Sequence, residues 1–389
     1  MAWLSGWDQR VKLTIDNTDI DAALSNFPVL VYLSTSSGRN NDDVSFVFDE
    51  LTNDANRKKI AVTTSDGTTE CYVEIEKWDD ANEQAWLWVK APSISNSADT
   101  DLYLYYDKDH AENTTYVDDT NTGNSHNVWN SDFKAVHHLT GADAAALDDS
   151  TSQNNDVTAS GGTPVYNSAG KIGKCVELDA GASEYLQIAD ADTLDGWDAF
   201  TIEFWVDGDN LGDIANGVYR FLLCKYATVD NQRAWSIFYY GDVAGDRTQL
   251  NTSADGTVVA SSFHRMNLAN GTWYHIVWRR TGADANPELI INNVSKALDQ
   301  TETCGTLKAS TAPLDMARCT YSAAGRYFDG HMDEVRLSGS YRSDAWVKAT
   351  YETGRDELLD FGSEESAPSG LSIPVAMHHY RQMMNGGQG

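Results

Sequence analysis

Basic residues are the first thing this 389-residue chain is short of: 28 Lys and Arg stand against 58 Asp and Glu, a formal charge of −30. A surface so acidic repels nucleic acid and anionic lipid, which excludes both as partners. Cysteine is sparse as well. Cys71, Cys175, Cys224, Cys304 and Cys319 are widely spaced, odd in number and free of any C-x-x-C, which argues against a zinc ribbon or a dense disulfide framework. Two readings stay open for them: a Cys304–Cys319 pair across a hairpin, or buried thiols. No apolar run reaches the roughly 18 residues of a membrane-spanning helix, so no membrane insertion is expected. The start, MAWLSGWDQR, has no basic region followed by an apolar run and does not read as a secretory leader. Catalytic signatures are missing too: there is no H-E-x-x-H and no G-x-S-x-G. Gly170-Lys171-Ile172-Gly173-Lys174 looks faintly like a phosphate loop, but Ser168 and Cys175 occupy the positions that need Gly and Ser or Thr.

Against these absences stand 12 Trp and 18 Tyr, with only seven Pro. Aromatic and β-branched residues set between Gly- and Asn-rich turns spell strands. The length favours two domains. Arg10–Asp16 alternates through Val11, Leu13 and Ile15, and Phe27–Leu33 is a nearly continuous apolar run, the mark of a strand covered on both sides. Strands are also expected at Val44–Phe48, Cys71–Trp78, Ala85–Pro92 and Asp101–Tyr106, which together describe a β-sandwich. Polar Asp109–Asn127 reads as a linker. Beyond it lie further strands from Phe133 to Leu337, then a short helix with Ser343 as N-cap and Gly354 past its end.

That closing stretch carries a resemblance. Gly330, Asp333-Glu334-Val335-Arg336-Leu337-Ser338, Arg342-Ser343, Trp346-Val347-Lys348-Ala349 and Tyr351 resemble the closing segment of bacterial laminin-G-like domains. The loop DDSTSQNNDVTASGG (148–162), the block 169–190 and the hairpin WYHIVWRR/ELIINNVSKA resemble further parts of the same family. The resemblance implies a concanavalin A-like jelly roll. Trp7, Arg10, FPVLVYL (27–33), EIEKWD (74–79), WLWVKAP (86–92) and LYLYYDKD (102–109) resemble a bacterial domain of unknown function that commonly precedes such modules. The fold class is therefore all-β, with residues 1–125 an N-terminal sandwich, 126–362 the jelly roll and 363–389 a linker and tail.

Jelly rolls of this kind also serve as polysaccharide-degrading enzymes, and retaining hydrolysis needs two carboxylates about 5 Å apart across a cleft. Glu74 and Glu76 sit in the wrong domain and read as a solvated strand face, while Asp333 and Glu334 are strand neighbours that point apart. No catalytic residue is assigned. The adjacent pairs His137-His138 and His378-His379 likewise point apart and do not chelate a metal by themselves. Asp148, Asp149, Asn154 and Asn155 lie in one Asx-rich loop whose oxygen ligands suit Ca²⁺, with Asx side chains capping their own turn as the competing reading. The resemblance implies such an ion and supplies Asp333, on the closing strand, as a partner. Trp235, Tyr239, Trp273 and Trp278 are candidate sugar platforms, with core packing as the competing reading. In the tail, Ile373, Met377, Tyr380 and Met384 fall on one helical face with no domain left to cover it. These features together give the expectation of a non-enzymatic virion surface protein, a capsid decoration or tail-fibre component. Its tail would dock onto copies of itself or other subunits, and its lectin-like module would bind glycans. A secreted or cell-surface adhesin of a bacterium is the alternative.

Overall fold

Period-two burial sets the first sandwich in a computed structural model that describes residues 2–209, 211–212, 214–320 and 326–368. In Gln9–Ile15 (β1), Val11, Leu13 and Ile15 point inward and are fully buried. Leu24–Leu33 (β2) is buried on nearly every residue from Phe27 onward, as its apolar run demands. The next apolar cluster departs from expectation. Val44–Phe48 does not extend as a strand but leads into a helix, Phe46–Leu51 (α1). Val44, Val47, Phe48 and Leu51 recur at i, i+3, i+4 and i+7, a helical stripe, and all four are buried. Ile60–Thr64 (β3), Glu70–Cys71 (β4), Val73–Asp79 (β5), Gln84–Ile94 (β6), Thr100–Tyr106 (β7) and Val117–Asp119 (β8) follow. One sheet runs β2-β6-β5-β8, and β1-β7-β3-β4 lie consecutively in the facing one. The polar stretch expected as linker therefore contains a strand. β8 pairs parallel to β5, and Lys58 and Arg57 hold its Asp118 and Asp119 at 2.5 and 2.7 Å, which is why an acidic segment can lie in a sheet.

The second sandwich begins with Phe133–His137 (β9), Val157–Gly161 (β10), Val165–Ala169 (β11), Lys174–Leu178 (β12), Tyr185–Ile188 (β13) and Phe200–Gly208 (β14). Tyr219–Ala227 (β15), Gln232–Tyr240 (β16), Arg247–Thr252 (β17), Ala260–Arg265 (β18) and Tyr274–Arg280 (β19) come next. Glu288–Ile291 (β20), Val294–Lys296 (β21), Leu314–Met316 (β22) and Gly330–Ser338 (β23) complete it. Among the described residues these form a seven-stranded sheet, β10-β13-β22-β15-β16-β17-β18, and an eight-stranded one, β11-β12-β23-β14-β19-β20-β21 with β9 also on β23. Phe200, Ile202, Phe204, Ile276 and Trp278 of one sheet pack on Leu223, Trp235, Ile237, Leu250 and Met316 of the other. The expected hairpin is present as β19 against β20, through Ile276↔Ile291 and Trp278↔Leu289.

Helix Asp344–Thr353 (α2) starts where the sequence says it should, the Ser343 Oγ accepting the Trp346 N–H at 3.2 Å. It is a wedge. Trp346 meets Phe27 edge-on at 4.9 Å, in the core of the first sandwich, while Val347 packs on Val277 and Ile290 of the second. Leu359–Ser366 (β24) then leaves the second sandwich and becomes the edge strand of the first, with Leu13↔Phe361 and Ile15↔Leu359. Ser363–Ser366, expected as linker, is thus strand. Its acidic side chains are held from β1 and β7, Arg10 at 2.6 Å from Glu365 and the Tyr106 hydroxyl donating to Glu364 at 3.1 Å. The boundaries expected at 125 and 362 move accordingly, since the first sandwich is built from both ends of the described chain. Glu74 and Glu76, expected in solvent, are 0% and 9% exposed because the second sandwich covers them. Ile373, Met377, Tyr380, Met384 and the His378-His379 pair lie outside the described residues. No described helix is long and apolar enough to cross a membrane.

Candidate functional site

Strand register decides what the outer face of the seven-stranded sheet displays. With Leu223, Ile237 and Leu250 turned into the core, their neighbours turn out, and three cross-strand rows result. Tyr219, Tyr240, Arg247 and Arg265 form one; Phe221, Phe238, Gln249 and Phe263 the second; Cys224, Ser236, Asn251 and Ser261 the third. Tyr219 and Tyr240 meet at 4.5 Å between ring centroids, Phe221 and Phe238 at 5.1 Å. The Arg247 guanidinium lies 4.7 Å from the Tyr240 ring and 4.3 Å from Phe263, and Arg265 lies 4.9 Å from Phe263. Asp242 anchors both arginines, at 2.8 and 3.2 Å. The Ala244 backbone N–H and then the two guanidiniums hold the Asp242 carboxyl below its ordinary value.

The polar groups of the three rows are only partly satisfied. Gln249 Nε2 and Ser261 Oγ both donate to Asn251 Oδ1, at 2.7 and 2.9 Å. Gln249 Oε1, Ser236 Oγ and the Nε atoms of Arg247 and Arg265 have no hydrogen-bond partner. At the end of this face a cleft of about 310 Å³ opens between Asp242, Asp246 and Asn267. Half-buried tyrosines and guanidiniums side by side suit a polyhydroxylated ligand, while the second row is itself buried at 1–7% exposure. Rings take the apolar face of a sugar, and forked donors take its hydroxyls or carboxylate.

The residues singled out from sequence are distributed otherwise. Trp235, Tyr239 and Trp278 are core residues, at most 1% exposed, and Trp273 sits 6.1 Å from the His331 ring. Asp149 and Asn155 do come together: Asp149 Oδ1 accepts the Val136 and Thr151 N–H groups, and Oδ2 accepts Thr151 Oγ1 and the Asn155 N–H, all at 2.9 Å. Asn155 turns its amide nitrogen to Lys134 O at 2.6 Å. A carboxylate whose four lone-pair directions already meet protein donors does not fit a calcium ion. Asp333 is engaged elsewhere, accepting the Ile172 N–H at 2.8 Å, and shares no hydrogen-bond partner with the other two. All five cysteines are free thiols, and Cys319 packs beside Cys224 rather than Cys304. The outer-face rows were missed because each residue lies on a different strand; only the pairing register assembles them.

With both sandwiches in view, the chain reads as a small capping sandwich joined to a lectin-type jelly roll. Residues 56–134 match the model of a domain of unknown function (DUF2341), and residues 180–363 match that of the concanavalin A-like lectin/glucanases superfamily. No curated protein matches the chain. Among solved structures it is similar to the binding domain of Paraclostridial mosquitocidal protein 1, at 14% identity and a TM-score of 0.45, over 57% of this chain and 52% of that one. Domain 4 of an extracellular arabinanase from Geobacillus stearothermophilus, solved with arabinotriose, is similar at 16% identity and 0.40, over 56% and 96%. The ligand-binding domain of botulinum neurotoxin serotype D, in complex with N-acetylneuraminic acid, follows at 9% and 0.43, over 57% and 50%. The chain spans about half the length of the toxin domains it matches. The likeness is one of fold.

Proposed function

We infer that this is a non-enzymatic glycan-binding surface protein whose ligand lies along the half-buried row Tyr219-Tyr240-Arg247-Arg265. One observation carries the reading: the half of the chain that matches a lectin superfamily sets half-buried tyrosines and guanidiniums side by side on the outer face its neighbouring domain does not cover. The carboxylates that gather in the structure, Glu74, Glu76 and Glu334, argue against hydrolysis, because they are 0–9% exposed inside the domain interface and meet no polysaccharide. A glycan array probed with the full chain tests this, followed by titration of the strongest hit against Tyr240→Ala and Arg247→Ala. Loss of one stacking ring or one charge-assisted contact should weaken binding about tenfold or more. Binding that both variants retain in full, or release of reducing ends from the bound glycan, sinks it.

The finer reading puts the protein on a virus particle, as a capsid decoration or tail-fibre subunit. Its support is the sequence: a formal charge of −30 and the stripe Ile373, Met377, Tyr380 and Met384 beyond the last strand. Mass spectrometry of purified virions from the source culture should find the chain at fixed stoichiometry. Recovery in a cell-wall fraction instead would make it an adhesin.

A further inference from the structure

The domain interface holds a cluster that the glycan-binding face does not use. β5 of the first sandwich contributes Glu74 and Glu76, and the second contributes His138, just past β9, and Glu334 and Arg336 from β23. A β-bulge delivers Glu334. The register of β23 against β14 shifts between Glu203 and Trp205, and Glu334 takes a φ of 51°. Its Oε1 lies 2.6 Å from His138 Nδ1, and Glu76 Oε2 lies 3.6 Å from the same nitrogen.

The geometry points to a binding site for a divalent transition-metal ion of the zinc or manganese class, ligated by Glu76, His138 and Glu334 and tying the two sandwiches together. One donor atom from each lies within 4.8 Å of the other two. An ion bonded at about 2.0–2.1 Å to each needs donors spaced about 3–3.5 Å apart, and small side-chain shifts bring 2.6 and 3.6 Å to that spacing. The donor set of one imidazole and two carboxylates suits these ions rather than Ca²⁺.

The surroundings are those of a supported site. Trp88 Nε1 and Thr140 Oγ1 donate to the two oxygens of Glu76, at 2.9 and 3.0 Å. Arg336 fixes the far oxygen of Glu334 at 2.5 Å. His138 is 2% exposed, and its Nε2 makes no hydrogen bond but faces Glu74 Oε2 at 3.6 Å. Glu74 is itself held by Trp129 Nε1 and by Ser150 Oγ, the latter at 2.6 Å. With Nδ1 on an ion, Nε2–H would aim at that carboxylate, the arrangement that fixes a ligating imidazole's tautomer and orientation. Charge balances too. Three carboxylates and one guanidinium leave −2 around a neutral imidazole, which one divalent cation cancels.

Loading belongs to folding, because the ligands come from both sandwiches and are closed to solvent. The full chain is unfolded with chelator, refolded with Zn²⁺, Mn²⁺ or no metal, desalted, and assayed for metal content and melting temperature. About one equivalent should be retained, with a higher melting temperature than the metal-free chain. Glu334→Gln and His138→Gln should each cut retention about tenfold or more, while Glu177→Gln, beside His331 on the surface, should retain it. Where a variant misfolds, the Co²⁺-refolded unmodified chain decides: absorption bands of a protein-ligated, nitrogen- and oxygen-coordinated ion support the site. Substoichiometric retention with unchanged melting, full retention by Glu334→Gln, or a Co²⁺ spectrum like that of the free ion would each reduce the cluster to an ion-pair network.

Discussion

The jelly roll has two outer faces, and they have been put to opposite uses. On the eight-stranded sheet, charge is buried: Glu203, Arg279, Glu334 and Arg336 are at most 3% exposed. They are covered by the first sandwich and by α2, and Trp205 stacks on Tyr351 of that helix at 5.7 Å. The seven-stranded sheet buries Lys225 and Asp315 as well, but its two edge arginines stay at the margin. Arg247 and Arg265 lie half-exposed over aromatic rings and share one carboxylate. Buried charges answer to strict pairing, because removing one partner strands the other in low dielectric. Half-exposed ones are screened and contribute little to folding, which leaves them available for a ligand. One face is an internal joint and the other carries the row proposed to meet a ligand.

The contrast predicts a steep difference in tolerance. Glu334→Ala strips the counter-charge from Arg336 and the hydrogen-bond partner from His138 Nδ1, and should cost about 3–5 kcal/mol in urea unfolding. Next comes Phe361→Ala on β24, 8% exposed, at about 3 kcal/mol, read by the same titration. A cost near zero there would mean that β24 is not part of the first sandwich's core. Asp356, just before β24, shows a smaller, pH-dependent effect. Burial lifts its carboxyl from 3.8 to about 7, against the Gly38 N–H that it accepts. A raised carboxyl contributes stability that is complete below its unfolded value and lost as pH rises through the folded one. Asp356→Asn, which keeps an acceptor for Gly38, should therefore melt higher than the natural chain at pH 8.5 and no higher at pH 4. Equal melting at both would remove the burial effect. Smallest of all, Arg247→Ala on the open face should change stability by about 0.5 kcal/mol or less. Deleting residues 369–389 should leave melting unchanged and abolish incorporation into any assembly, checked by calorimetry and sedimentation. If Arg247→Ala proves as costly as Glu334→Ala, the two faces are not different in kind.

Much of the fold was legible because it rests on local pattern. β1, β7 and β23 announce themselves by apolar residues on alternate positions, and Ser343 by its place before Asp344. What stayed hidden depends on partners remote in sequence. Glu74 and Glu76 look like any solvated strand face until His138 and Glu334 arrive from the other sandwich. Ser363–Ser366 has linker composition because an edge strand needs few apolar side chains when Arg10 and Tyr106 take up its acids. The Glu334 bulge leaves no sequence mark beyond Met332 and Val335 standing three apart instead of two. Val44–Phe48 shows its helical stripe only when Leu51 is included. The Asx loop held its oxygens in plain sight, but only hydrogen-bond geometry shows that they are spent on their own backbone.

The pairing of β1 with β24 also fixes an order of events during synthesis. Gln9 emerges from the ribosome before any of the jelly roll, yet its partner Ser366 emerges after the whole of it. The first sandwich waits with Val11, Leu13 and Ile15 lacking their neighbour on one side while the second is made and folds. The domain translated first is the one completed last, and a nascent chain stalled within the jelly roll would present an open β edge to chaperones.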